Sequence, residues 1–251
     1  MAILKSLKKR KEQKVKSIAI LIDPDKFQGE ESLKNLLKLC HKARVDFIFV
    51  GGSLLVNGSL EATISVINRY IRLPVIIFPG SNLHIANQAD AILFLSLISG
   101  RNPDLLIGQH VAAAPILKRS KIEVLSTGYI LVGNSANTTV AHISQTSPIP
   151  TEKAEIAVCT AIAGEMIGMK LIYLDAGSGS REEVPAEMIE RVAGSTEIPL
   201  IVGGGIDTTS KAIAAFDAGA DLIVLGTAIE KNANFVSEVA GIRDGFNSKH
   251  S

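Results

Sequence analysis

The chain alternates short runs that are almost continuously apolar with longer stretches in which apolar residues recur every three or four positions. The runs are Ser17–Ile22, Asp46–Val50, Val75–Phe78, Ala91–Leu95, Glu123–Leu131, Leu171–Leu174, Leu200–Val202 and Leu222–Leu225. The periodic stretches cover 30–43, 59–71, 104–119, 152–168, 185–194, 208–218 and 230–243. Runs apolar on both faces need cover on both sides, and strands separated by helices pair in parallel. Eight such units predict a closed (β/α)8 TIM barrel, an α/β fold, over an open doubly wound sheet. One connection departs from the pattern. Ser81–Asp90, SNLHIANQAD, is short and polar and predicts no full third outer helix. The small polar residues of 133–150 predict a loop above the barrel mouth. No linker or composition shift divides 1–251, so a single domain is expected.

The most informative stretch is Pro199–Thr227, PLIVGGGIDTTSKAIAAFDAGADLIVLGT. Two successive strands in it end in glycine, and Asp207 and Thr208 are good N-cap types for the helix between them. Glycine lets backbone N–H groups approach an anion, and a helix N-terminus adds attraction. Loops after strands seven and eight are a frequent phosphate site in this fold. Plain tight turns are the other reading of these glycines.

The 251 residues fit one barrel, and 47% hydrophobic residues fill its core. A net charge of +1 argues against nucleic acid as a partner. The basic cluster of residues 1–17, with Ile3, Leu4 and Leu7 at helical spacing, predicts a leading helix. That helix either covers the bottom of the barrel or makes peripheral contact with an anionic membrane surface. No run is long enough to span a membrane and no signal peptide is visible, so a cytoplasmic protein is expected. Cys40 and Cys159 fall in helical stretches and are expected as small buried hydrophobes.

Chemistry in this fold gathers at the C-terminal ends of the strands. The acids there are Asp23, Asp25 and Asp175. An acid facing a phosphate site needs a counter-charge, and Mg2+ takes one or two protein oxygens plus substrate phosphates. Asp23 with the Ser53 hydroxyl fits so sparse a site; turn formation and capping are the alternative, and the one expected of Asp25. Asp175 is placed to act as a general base on a hydroxyl, or equally to brace the glycine loop. No lysine stands at the end of strand six, and His41, His84, His110, His142 and His250 show no metal spacing.

Set together, Leu21–Lys26, Gly51-Gly52-Ser53, the block Tyr173-Leu174-Asp175-Ala176-Gly177-Ser178-Gly179, Gly203-Gly204-Gly205 and Gly226-Thr227 resemble a known family. These are the geranylgeranylglyceryl phosphate synthases and their heptaprenylglyceryl relatives, (β/α)8 prenyltransferases that join a polyprenyl diphosphate to sn-glycerol 1-phosphate. The resemblance runs from about residue 15 to 240 and implies a modified third outer helix. It implies Mg2+ on Asp23 and Ser53. It implies glycerol phosphate on Tyr173, Leu174, Asp175, Ala176, Gly177, Ser178, Gly179, Gly204, Gly205, Gly226 and Thr227, with Asp175 and Tyr173 in the catalytic role. Many members carry glutamate where this chain has Asp175, and some carry a phosphate-contacting lysine where it has Leu21. The prenyl tail needs an apolar channel, for which Leu97, Ile98, Leu105, Ile107 and Val111 are candidates; helix–barrel packing is their other role. Apolar outer-helix positions point to a homo-oligomer. The competing functions are a phosphate-sugar isomerase or lyase on the same barrel, and a non-catalytic barrel that binds prenyl diphosphate.

Overall fold

Every apolar run forms a strand, and each strand pairs in parallel with the next until β8 closes on β1. The computed structural model describes residues 2–26, 29–133 and 138–249. The strands are β1 (Ser17–Ile22), β2 (Phe47–Gly51), β3 (Val75–Phe78), β4 (Ala91–Leu97), β5 (Glu123–Leu131), β6 (Leu171–Asp175), β7 (Leu200–Gly203) and β8 (Leu222–Leu225). β6 and β7 run one residue beyond their expected ends. Asp175 and Gly203 therefore sit on the sheet, where the ladder fixes them.

The helices are α1 (Ala2–Glu12), α2 (Glu30–Lys42), α3 (Leu60–Tyr70), α4 (Gln109–Arg119), α5 (Thr139–Ser144), α6 (Ala154–Met166), α7 (Ala186–Ala193), α8 (Thr209–Asp217), α9 (Thr227–Lys231) and α10 (Phe235–Ser248). Thr208 caps α8 by accepting the Lys211 N–H at 3.3 Å, as its residue type predicts. Between β3 and β4 the chain makes only turns over 81–90, so the outer layer is thinned there. The expected loop of 133–150 contains the six-residue α5; Asn134–Asn137 lie outside the described residues.

Side chains alternate along each strand between two apolar layers. Phe49, Phe78, Leu93, Tyr129, Tyr173 and Ile201 fill the barrel interior, while Ile48, Ile77, Ile130, Leu174 and Val202 pack outward against the helices. α1 closes the bottom of the interior with Ile3 and Leu7. Its first N–H groups, on Ile3 and Leu4, donate to the Glu123 carboxylate at 2.9 and 3.1 Å. Arg10 pairs with Asp46 at 2.8 Å and Lys11 with Asp221 at 3.1 Å. The apolar stripe of α1 thus packs against the barrel, with Ile3 and Leu7 buried and Leu4 partly so.

Among the described residues no helix is long and apolar enough to cross a membrane. Cys40 is buried as expected, and burial pushes its thiol up to about 12. Cys159 is exposed, contrary to expectation, because it lies on the outer face of α6.

Candidate active site

The strand-six block shows how alternation sorts the site. Tyr173 and Asp175 share the inner face of β6, and Leu174 between them faces the helices with no exposure. Ala176 also packs outward, and its N–H donates to the Gly203 carbonyl at 3.1 Å. Leu174 and Ala176 therefore turn their side chains away from the mouth, and only their backbone is available to a ligand. The other expected positions converge on one cavity of about 370 Å3 at the barrel mouth. Asp23, Ser53, Tyr173, Asp175, Gly177, Ser178, Gly179, Gly204, Gly205, Gly226 and Thr227 all line it.

Asp175 is 7% exposed. Its Oδ1 accepts the Gly177 N–H at 2.9 Å and its Oδ2 the Tyr129 hydroxyl at 2.6 Å. Burial pushes the carboxyl above the usual aspartate value, and these two hydrogen bonds pull it back. Burial, joined by the Asp175 charge, holds both Tyr129 and Tyr173 well above the usual tyrosine value, so both stay protonated donors. Phe78, Tyr129 and Tyr173 form a ring cluster with centroids 5.5–6.2 Å apart, which fixes both tyrosines. Tyr173 stands against β7, where a Cβ on Gly203 would come within 2.5 Å of its hydroxyl. The tyrosine bonded to the acid is Tyr129. Sequence reasoning passed over it because it lies 46 residues away on another strand.

Gly204 and Gly205 are both left-handed, with φ of 77° and 70°. A Cβ on Gly204 would sit 2.6 Å from Asp175 Oδ1 and 2.7 Å from the Ala176 nitrogen. Backbone and acid are thus as close as a glycine permits. Lys211 holds this corner together: its ammonium bonds Asp207 at 2.9 Å, Glu183 at 3.1 Å and the Gly205 carbonyl at 3.0 Å. Two further cations, Arg181 and Lys231, line the same mouth. They follow the glycine turns by two and five residues, and supply positive charge on this side where Leu21 supplies none.

Beside β8, at the end of β1, Asp23 Oδ1 accepts the Asp25 N–H at 3.0 Å, and Oδ2 has the Lys26 ammonium at 3.7 Å. Asp25 accepts the N–H groups of Val56, Asn57 and Gly58 and braces their turn, the role its sequence context gives it. Among the described residues no three His, Cys, Asp or Glu side chains gather as a metal cluster. Asp23 and Ser53 offer oxygens alone, a donor set that suits a hard, largely hydrated cation and little else.

A second, apolar cavity of about 130 Å3 opens beside the mouth, sharing Ser53 and Phe78 with it. It occupies the thinned layer between β3 and β4. Its outer wall is a π-helical turn, Asp104–Gly108, continued by α4. Leu105, Gln109, Ala113 and Leu117 line it at four-residue spacing, with Leu97 from β4. Ile107 and Val111, 60% and 67% exposed, face solvent, and Ile98 lines a different groove against α6; these three are not channel residues. The Ser96 hydroxyl donates to the Leu106 carbonyl at 3.2 Å and meets His110 Nε2 at 3.1 Å. One hydroxyl proton cannot serve both, so His110 Nε2 is the donor in that contact. This pair pins the turn to β4.

The chain matches the PcrB family over residues 9–242. It is 50% identical over 231 residues to the geranylgeranylglyceryl phosphate synthase of Chitinophaga pinensis, covering 92% of this chain and 91% of that one. It is 50% identical over 232 residues to that of Spirosoma linguale, covering 92% and 93%. Among solved structures it superposes with a TM-score of 0.90 on (S)-3-O-geranylgeranylglyceryl phosphate synthase from Thermoplasma acidophilum, in complex with its substrate sn-glycerol-1-phosphate. That match is 34% identical and covers 99% of both chains. With the glycine cradle, the inward acid and the apolar channel in one mouth, the chain belongs to the PcrB family, the family of the geranylgeranylglyceryl phosphate synthases.

Proposed function

We propose that this protein joins a polyprenyl diphosphate, geranylgeranyl diphosphate first among them, to the C3 hydroxyl of sn-glycerol 1-phosphate. The products are a prenylglyceryl phosphate ether and diphosphate. The observation that carries this reading is the joining of a glycine cradle to an apolar channel, with Asp175 in the cradle bonded to Tyr129 of the channel wall. An isomerase or lyase of phosphorylated sugars has no use for such a channel. A barrel that only binds prenyl diphosphate has no use for a buried acid bonded to Tyr129.

The glycine turns at Gly177–Gly179, Gly204–Gly205 and Gly226-Thr227 hold the phosphate of the acceptor, with Arg181 and Lys231 adding charge. The C3 hydroxyl then lies toward Asp175, whose carboxylate takes its proton. The oxygen bonds to C1 of the prenyl chain as the C1–diphosphate bond breaks, and diphosphate leaves with the electron pair. Holding both reactants in one mouth replaces a bimolecular encounter by an oriented one. The channel wall from Leu105 to Leu117 spans about 18 Å at the helical rise, room for an extended tail. Asp23 and Ser53 would hold Mg2+, which when bound neutralises diphosphate charge and eases its departure.

We also infer a homo-oligomer, since Ile156, Met166 and Ile167 of the α6 region are 50%, 81% and 74% exposed on one side of the barrel. Light scattering reads its mass. For the reaction, the deciding experiment incubates labelled sn-glycerol 1-phosphate with prenyl diphosphates of graded length, with and without chelator. Labelled ether that requires Mg2+ is the expected product; its absence at every length sinks the reading.

A further inference from the structure

Four large apolar side chains stand in water around the open end of the tail channel. Leu54 and Val56, in the turn after β2, are 55% and 69% exposed; Leu83, after β3, is 83% exposed; Ile143 of α5 is 45% exposed. They belong to one rim. Ser53, next to Leu54, lines both cavities, and Asn82 and Ile143 line the channel. Gly80 packs on the backbone of Gly52 and Ser53, joining the loops after β2 and β3.

Single exposed apolar residues need no explanation, but several on neighbouring loops at a cavity entrance do. The tips that carry these side chains are braced. Asp25 accepts the N–H of Val56 at 2.7 Å and of Asn57 at 2.9 Å. The Leu83 N–H donates to Ser81 Oγ at 3.2 Å, and that of Asn82 to Gln109 Oε1 at 3.1 Å. The fold therefore presents Val56 and Leu83 outward on built turns.

We propose that this rim docks on a lipid bilayer, with Leu54, Val56, Leu83 and Ile143 in the interface and the channel opening toward the hydrocarbon. The proposal rests on the prenyl-transfer reading, because continuity with a hydrocarbon channel is what selects a bilayer over a second copy of the chain. A prenyl donor and its ether product both partition into lipid. A tail passing over the rim enters the channel without meeting water. The basic helix α1 is at the far end of the barrel, against Glu123 at the start of β5. Attachment through its lysines would turn the mouth away from the membrane. The attraction at the rim is apolar, so it needs no anionic lipid and survives high salt.

The test is flotation of the full chain with phosphatidylcholine vesicles, at low and high salt and without substrate. The wild type is compared with Val56→Ser/Leu83→Ser and with Lys5→Ala/Lys8→Ala/Lys9→Ala. Val56 and Leu83 line neither cavity, so turnover of a water-soluble short-chain donor stays unchanged in the rim variant. The wild type is expected to float, the rim variant to lose about tenfold or more in partitioning, and the lysine variant to float as the wild type does. Three results overturn the proposal. One is a wild type that does not float; another is binding that needs anionic lipid and disappears in the lysine variant. The third is a rim variant that floats normally but dissociates in light scattering, which assigns the rim to a second copy. Failure of the prenyl-transfer reading is distinguishable, since it appears as no turnover of the soluble donor by the wild type.

Discussion

The hydroxyl of Tyr129 on β5 lies 2.6 Å from Asp175 Oδ2 on β6, and this contact offsets part of the effect of burial on the acid. Burial raises the Asp175 carboxyl, and the Tyr129 and Gly177 hydrogen bonds lower it. As a base the acid must be ionised, so activity falls as pH drops through its folded value, which lies above that of an ordinary aspartate. Tyr129→Phe removes a donor to the charged form. The acid limb of the kcat/KM profile is expected to move to higher pH, with about tenfold or more lost on that limb. A limb that stays in place would show that Tyr129 does not tune the acid.

Asp175→Asn separates catalysis from stability. A group whose folded pKa is raised favours folding below its unfolded value, and that contribution is lost as pH rises through the folded value. Wherever the acid is ionised, its buried charge therefore opposes folding. Asparagine keeps an acceptor for Gly177 and offers the Tyr129 oxygen a donor. Turnover is expected to fall by about 10²–10⁴, while Tm holds or rises, by about 2–4 °C for each 1 kcal/mol gained. Calorimetry beside a turnover assay checks both, and a lower Tm contradicts the cost assigned to burial.

Gly204→Ala forces a methyl group within 2.6 Å of Asp175 Oδ1, at a φ of 77° that side chains rarely adopt. The expected result is a weakening of glycerol phosphate binding of about tenfold or more, with prenyl diphosphate binding unaffected. Calorimetric titration of each substrate decides it. Equal loss for both substrates would mean that the substitution disturbs the barrel at large.

Asp23→Ala leaves Ser53 as the sole remaining member of the proposed Mg2+ pair. Turnover is expected to fall at least about a hundredfold, with glycerol phosphate binding retained. Metal titration followed through a spectroscopically visible substitute ion, Mn2+, supplies a readout apart from activity. Unchanged Mn2+ affinity in the variant would remove Asp23 from the site.

Ala113→Phe fills the channel halfway along its α4 wall, where Ala113 is 6% exposed. Long donors should lose turnover while short donors keep it, at a stability cost of about 1–3 kcal/mol. Competition between donors of two lengths, read by product mass, tests this. An unchanged ratio would place the tail elsewhere.

Much of this arrangement was legible before any coordinate. Eight apolar runs separated by helical stretches leave a parallel barrel as the way to cover both faces of every strand. The polar brevity of Ser81–Asp90 marked the missing outer helix, and the glycines closing β7 and β8 marked positions that line the mouth. The outward turn of the Leu174 side chain follows from strand alternation alone, since it lies between Tyr173 and Asp175. Three things needed the tertiary structure. Tyr129 meets Asp175 only because β5 pairs with β6 in the register that sets Tyr129 opposite Tyr173, and no local pattern carries a register between strands 46 residues apart. The channel is lined by one face of the turn and helix from Leu105 to Leu117, and which face turns inward depends on how that segment is pinned to β4 through Ser96 and His110. The rim of Leu54, Val56, Leu83 and Ile143 comes from three separate loops. Sequence specifies apolar periodicity within an element, but contacts between elements depend on the closed geometry that only the folded chain provides.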